Sequence, residues 1–426
     1  AGYNFTTTDD LKIDALAADT TPDQVLNAAE KAAASTNVTI SGTIEGSAEV
    51  KSSYNNDAIV VKLSKDGSSD ITLSGVSYNA SSGVWSGTVP TSSLSDGAWT
   101  ITATSTAIGG GTVPEGTVTT AQRTFSVDTS LASPVLSLVA DTGNASDGVT
   151  SNLSVNVSGI ESGATWVYST DGGTSWSSTP LASTVGSFTV PAPVVATGVT
   201  YDANKIVVKQ TDAAGNVNLS TASGSVGAMG KNAAAWTFDN QKPNAPVVAL
   251  GSGVAPGDGA TAAEAKAAGA VTVNAEANAA VVVTYTGSAA GSTAVTKNVT
   301  GTGSVQNVPA LTDGEIADLK DGTITVSVVA TDKAGNASDA GTSSFVLDTV
   351  APVVNTVTDT TVAGVTKDAI DFYVTFSEAL RSTPTTGHFS ATNGAVTSVG
   401  VVAGVANQYK VTVTPTADVA SGNVAL

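Results

Sequence analysis

Aspartate and asparagine recur at matching places along this chain, and no other residue types combine such regular spacing with a capacity for chemistry. Strands end in Phe125-Ser126-Val127-Asp128, Trp236-Thr237-Phe238-Asp239 and Phe345-Val346-Leu347-Asp348, followed in turn by Pro134, by Pro243 and Pro246, and by Pro352. Thr211-Asp212-Ala213-Ala214-Gly215-Asn216 returns as Thr331-Asp332-Lys333-Ala334-Gly335-Asn336, each ahead of the next strand-ending Asp. Asp141 and Asp147 flank a Gly- and Asn-containing turn soon after Asp128. These are hard oxygen donors, and calcium takes about six to eight of them from carboxylates, amide and main-chain carbonyls and water in flexible geometry. Magnesium fits less well, because it demands near-octahedral geometry and keeps its waters. Carboxylates gathered at a domain edge repel one another unless a cation neutralises them. Any single occurrence is equally well explained as an Asx-turn, but recurrence in successive repeats favours a calcium role. The candidate ligands are Asp128, Asp141, Asp147, Asp212, Asn216, Asp239, Asp332, Asn336 and Asp348.

Catalytic chemistry has little to work with. His388 is the only histidine and cysteine is absent, so neither a Ser/His/Asp triad nor a His- or thiolate-based metal centre is supported. Paired carboxylates can hydrolyse glycosides, but here the acidic residues follow the repeat landmarks. The Gly109-Gly110-Gly111 run lacks the lysine and the strand-to-helix setting of a phosphate loop. Trp85, Trp99, Trp166, Trp176 and Trp236 fall in or beside strands, where a sandwich core takes large residues, although a glycan platform is the competing use.

The elements that must position the aspartates are β-strands. From Asn37 onward short alternating runs such as Val38–Ser41, Ala58–Leu63 and Trp99–Thr104 are separated by Gly, Asn, Asp and Ser clusters, the pattern of antiparallel sandwiches. The landmarks repeat at roughly 100 residues, the size of an Ig-like domain. An Asp-Gly turn leading into a long strand is a further landmark, at Asp96-Gly97 and Asp321-Gly322. The boundaries that follow are an N-terminal segment 1–36 and sandwiches at 37–130, 131–241, 242–350 and 351–426. Thr21 before Pro22 predicts an N-cap and a helix through Lys31, the one convincing helical region. Pro after each joint makes the links short and stiff, so an extended rod is expected.

Composition agrees with a surface role. Charged residues make up only 12% of the 426, so the polar surface must be mostly Ser, Thr, Asn and Gly. Asp and Glu total 36 against 17 Lys and Arg, a net charge of −19 that repels nucleic acid and anionic membranes and attracts cations. No stretch approaches the roughly 18 to 20 apolar residues of a membrane span. Without disulfides, a stiff chain needs another staple.

Several of these runs resemble the bacterial Ig-like repeats of giant cell-surface adhesins, many of them exported by type I secretion. The resemblance rests on Asp141–Thr150, on Trp166–Trp176 with its Asp171-Gly172-Gly173, and on Val208–Asn216 in the second domain. The third domain looks like a sister type through Asp258-Gly259, Glu264-Ala265 and Asp321–Val326. The fourth, with Asp371–Glu378 and Val411–Pro415, looks like a further Ig-like surface module. The resemblance implies an all-β fold of tandem sandwiches, calcium at the joints, and a non-catalytic adhesive stalk on the outside of a bacterial cell. A self-assembling surface-layer or filament subunit and a carbohydrate-binding array are the alternatives, with copies of the chain or host and surface glycans as partners. The first domain departs from the pattern, having Ala107–Thr112 where the Thr-Asp-x-Ala-Gly-Asn turn is expected. The last domain stops before its closing landmarks, which suggests either a longer protein or completion by a strand of another copy, with the segment before Asn37 as donor.

Overall fold

The computed structural model describes residues 10–192, 198–254, 259–360, 367–417 and 423–426. Asp258, a further acidic residue near the second joint, lies outside the described residues. The chain is all-β, built of tandem Ig-like sandwiches with a few short helices. It forms two compact units, one comprising 1–241 together with Lys333–Asn336, the other 242–332 and 337–426.

In the first unit, alternation along Asn37–Glu45 buries Val38, Ile40 and Ile44 and leaves the intervening residues more exposed. This strand lies between Asp10–Ile13 and Val84–Pro90, with Ser74–Asn79 beyond. The facing sheet runs Val25–Asn27, Val118–Asp128, Gly97–Thr106, Ile59–Ser64, Ile71–Thr72. Trp85, Trp99, Ile101 and Phe125 fill the space between the sheets. The second sandwich packs Val155, Trp166, Phe188, Ile206, Val208 and Phe238. In the second unit, Ala280–Gly287 and Gly322–Thr331 form the centre of a four-stranded sheet over Val247–Leu250, Val271–Asn274 and Val305–Asn307. The last module carries the sheet Val354–Asp359, Ile370–Phe376, Gln408–Pro415, Gly394–Val401.

One arrangement recurs in the first three sandwiches. A short segment runs parallel to the strand that ends in the landmark Asp: Val25–Asn27 beside Ser126–Asp128, Val149–Thr150 beside Thr237–Phe238, and Ala260 bridging to Leu347. Parallel pairing sets Asn27 level with Asp128 and Thr150 level with Phe238, so each short segment ends where its landmark strand ends. The Asp-Gly landmark serves the same end. Gly97 and Gly322 adopt φ of 126° and 131°, open to glycine and strained for other residues, and Asp96 and Asp321 accept from the hydroxyls of Thr129 and Thr349 at 2.8 Å.

The N-terminal segment differs from its expected form. Thr21 and Pro22 precede a loop, not a helix, because Gln24 takes a left-handed φ of 68° that no helix can continue through. The helix is Ala28–Ala33, capped by Asn27 in a capping box with Glu30. Burial opposes ionisation of Glu30, but hydrogen bonds from the Asn27, Thr20 and Thr21 amides and the Thr20 hydroxyl hold its carboxyl below the usual range. Nor is this the only helix: Ser47, Thr261 and Thr312 cap Ala48–Lys51, Ala262–Ala265 and Asp313–Leu319, the last two through Thr-x-x-Glu boxes at Glu264 and Glu315. The segment's strands, Asp10–Ile13 and Val25–Asn27, are paired within the first sandwich, which occupies the residues expected to be donated to another copy.

Tryptophans follow the core reading at Trp85, Trp99 and Trp166, which are at most 2% exposed. Trp166 Nε1 donates to the carbonyls of Ala182 and Val185, both at 3.2 Å, so its ring is committed to the interior and offers no glycan platform. Trp176 is half-buried beneath the Lys209 ammonium, 4.2 Å from the ring centroid. Between them, the Asp171 carboxylate gathers the Ser175 hydroxyl and amide, the Ser169 hydroxyl at 2.7 Å and the Thr174 amide at 2.9 Å. These bonds, led by the Ser175 hydroxyl, hold Asp171 far below the ordinary carboxylate range.

Trp166→Ala is therefore expected to cost about 3–5 kcal/mol in denaturant unfolding of the second sandwich. For Asp171 the lowered pKa places its stabilising contribution above the ordinary carboxyl value of about 3.9, to be lost as pH falls below it. Thermal melts across acidic pH should show a smaller acid destabilisation in Asp171→Asn than in wild type, and equal slopes would refute that role.

Candidate functional site at the module joint

The landmark aspartates begin as local turn-formers. Asp128, Asp239 and Asp348 each accept, through Oδ1, the amide two residues on, from Ser130 at 3.3 Å, Gln241 at 3.0 Å and Val350 at 3.2 Å. The Asx-turn reading is thus correct for one oxygen of each carboxylate, and it fixes where the rest of the side chain sits.

The Thr211–Asn216 turn is tighter. Gly215, at φ 85°, lets the chain reverse so that Asp212 N donates to the Asn216 carbonyl at 3.1 Å. Asp212 then grips Asn216 twice, Oδ1 accepting from its backbone amide and Oδ2 from its Nδ2, both at 2.8 Å. Asn216, 4% exposed, aims its side chain at the end of the first sandwich, where Nδ2 donates to the Asp128 carbonyl at 3.0 Å and Oδ1 accepts from Ala28 N at 2.8 Å. Gly335 repeats the conformation at φ 86°, and within the same unit Asn336 Nδ2 donates to the Asp239 carbonyl at 2.8 Å. The recurring Asn therefore reads the carbonyl of the recurring strand-end Asp. An amide nitrogen does not ligate calcium, so Oδ1 is the side-chain atom that such an Asn could offer a cation. Asp332 follows the long strand Gly322–Thr331 in the second unit, and Asp348 directly follows the strand Gly341–Leu347.

Asp141 and Asp147 belong to the loop before Val149–Thr150. Asp141 Oδ2 accepts from Ser146 N at 2.8 Å and Gly148 N at 3.2 Å, and Asp147 Oδ1 from Val149 N at 2.9 Å. The N-terminal segment carries a counterpart that the sequence reading missed. Asp19 Oδ2 accepts from Gln24 N at 2.8 Å and Asp23 Oδ1 from Val25 N at 2.8 Å. Gln24, at φ 68°, stands where Gly148 has 74°. In both loops the first Asp has its other oxygen, Oδ1, buried and without a hydrogen-bond partner. A buried anionic oxygen in that state is costly unless a cation or water meets it. The available signal was the parallel between Asp19-x-x-x-Asp23 and Asp141-x-x-x-x-x-Asp147, each before Val, and a helix assignment across 21–31 concealed it.

Among the described residues no three Asp, Glu, His or Cys side chains converge closely enough to hold a metal by themselves. An ion at these loops must complete its shell with main-chain carbonyls, amide oxygens and water, which calcium accepts. His388 Nδ1 accepts from Thr385 N at 3.0 Å and caps a short turn.

No protein-family model and no curated protein matches the chain. Among solved structures it is similar to a 1.5-MDa bacterial ice-binding adhesin studied for host cell surface retention, at 23% identity over 80% of this chain and 98% of that one, with a TM-score of 0.33. It is also similar to a tetra-tandem repeat from the extending region of a large adhesion protein, at 18% identity over 96% and 88%, TM-score 0.30. An ICAM-5 ectodomain fragment aligns at 10% identity over 96% and 91%, TM-score 0.38. At these values the function must be argued from the chain's own residues.

Loss of the Asp212 carboxylate leaves the buried Asn216 amide without the acceptor that orients it. Asp212→Ala is expected to destabilise the second sandwich by about 1–3 kcal/mol in urea unfolding, with a change below a few tenths counting against the turn as a structural grip.

Proposed function

We propose that the chain is a non-catalytic structural and adhesive element of the bacterial cell surface, a series of Ig-like modules whose ends are fixed by calcium. The observation that carries the proposal is the pair of buried, unpartnered Oδ1 atoms of Asp19 and Asp141, at matching places in successive modules. Each belongs to the loop that leads into the parallel segment beside a landmark strand. Calcium at the first loop would draw on Asp19 and Asp23, and at the second on Asp141 and Asp147, with main-chain carbonyls and water completing the shell. Asp128, Asp239, Asp332 and Asp348, with the Oδ1 atom of Asn336, are the further oxygens on which such ions would draw, whereas Asp212 and Asn216 are already held by each other. The ion would supply charge neutralisation and a multi-oxygen crosslink.

A surface setting accords with a net charge of −19, a Ser/Thr-rich exterior and a chain without cysteine, which needs a cation where other secreted modules use disulfides. Among the described residues no helix is long and apolar enough to cross a membrane.

Calorimetry of the chain in excess calcium and in excess chelator tests the reading. A ligand at 100 times its Kd adds about 2.7 kcal/mol, so the first two modules should melt several degrees higher in calcium. Asp19→Asn and Asp141→Asn should remove that gain, yet in chelator they should match or exceed wild type because an uncompensated buried charge has gone. Superimposable melts with and without calcium would overturn the proposal.

A further inference from the structure

Asn216 and Asn27 face each other across the first joint, where both Nδ2 hydrogens and the Oδ1 of Asn216, and the Nδ2 and Oδ1 of Asn27, meet described partners. We propose that the Thr211–Asn216 turn is a docking surface for the end of the preceding module, and that it closes the first joint without a metal ion.

The partner it fits is a main-chain constellation. Asn216 Nδ2 meets the carbonyl of Asp128 at the end of a strand, and Asn216 Oδ1 meets the amide of Ala28 in the first turn of a helix. That amide is one of the donors a helix N-terminus cannot satisfy internally, and here the next module satisfies it. The reciprocal contact comes from Asn27, 6% exposed, whose Oδ1 caps the helix at Glu30 N, 2.9 Å away, while its Nδ2 donates to the carbonyl of Ala214 at 3.0 Å. Asp212 orients the whole by holding both nitrogens of Asn216.

Because the crossing bonds join neutral amides to main-chain groups, neither chelation nor ionic strength acts on them directly. Because they recognise main chain plus one capping amide, the turn accepts any preceding module that ends in a strand beside a capped helix, whatever its surface side chains. The Asn336 to Asp239 carbonyl bond repeats half of this recognition. The first sandwich does not offer such a surface: its Ala107–Thr112 loop has neither Asp nor Asn and turns inward, Ile108 N donating to the Ser53 carbonyl at 2.9 Å. The clasp thus makes module order directional.

The inference stands apart from calcium binding, and the experiment separates them. The chain has no cysteine, so Ser68→Cys and Ser178→Cys, both exposed positions in the first and second sandwiches, can carry spin labels for pulsed dipolar distance measurement on the full chain in calcium and in chelator. The labelled parent is expected to give one narrow distance in both. Asn216→Asp replaces the donating amide by an acceptor, and Asn27→Ser keeps a good helix cap but removes the crossing donor; either should lose the narrow distance in chelator, with circular dichroism and tryptophan fluorescence reporting intact sandwiches. A parent that broadens in chelator as the variants do, or variants that stay narrow there, would overturn the clasp. Calorimetric response to calcium is read independently, so failure of either idea leaves the other measurable.

Discussion

A β-sandwich module ends in main-chain groups that its own sheets cannot pair, and the requirement that these be satisfied organises this chain. The carbonyl of Asp128 and the amide of Ala28 are such groups, and each is met by Asn216 of the next module. A buried amide side chain with both hydrogens committed permits few alternative geometries, since rotating it leaves several polar atoms unpaired at once. Much of the surrounding architecture serves that arrangement. The parallel segment brings the helix start beside the strand end, Gly215 shapes the turn, and Asp212 fixes the amide.

The landmark aspartates divide into two kinds. Those that end strands form Asx-turns, and Asp128 and Asp239 also contribute their carbonyls to recognition, so their repetition reflects backbone geometry at least as much as charge. Asp19 and Asp141 differ, because each has one carboxylate oxygen satisfied by loop amides and the other buried without a partner. The buried amide contacts and the buried carboxylates act on different coordinates, the first on direction and contact, the second on the electrostatic strain of burying a charge. The second sandwich adds another layer of buried amides: Gln210 and Asn218, both essentially inaccessible, donate together to the carbonyl of Ala132 at 3.0 and 2.8 Å and so tie the chain just beyond the first joint.

What the amino-acid sequence determined by itself was whatever depends on local periodicity and repetition. Alternation in Asn37–Glu45 and Gly97–Thr106 dictates strands with one buried face, tryptophan within such strands dictates core, and the recurrence of Asp-Gly, Thr-Asp-x-Ala-Gly-Asn and strand-end Asp marks the module ends. The Asn-x-x-Glu and Thr-x-x-Glu caps at Asn27, Thr261 and Thr312 were equally legible, but Thr21 before Pro22 drew the helix start too early and hid the loop that repeats Asp141–Gly148. Only the tertiary structure decided what the repeated residues do. Whether Asn216 binds an ion or a carbonyl depends on which strand end lies opposite it, and a parallel pairing between Val25–Asn27 and Ser126–Asp128, about a hundred residues apart, cannot be read from local propensity. Likewise a carboxylate's unpartnered oxygen is a property of packing around Asp19 and Asp141, since an aspartate in a glycine-rich turn looks the same in sequence whether its second oxygen faces water or the interior.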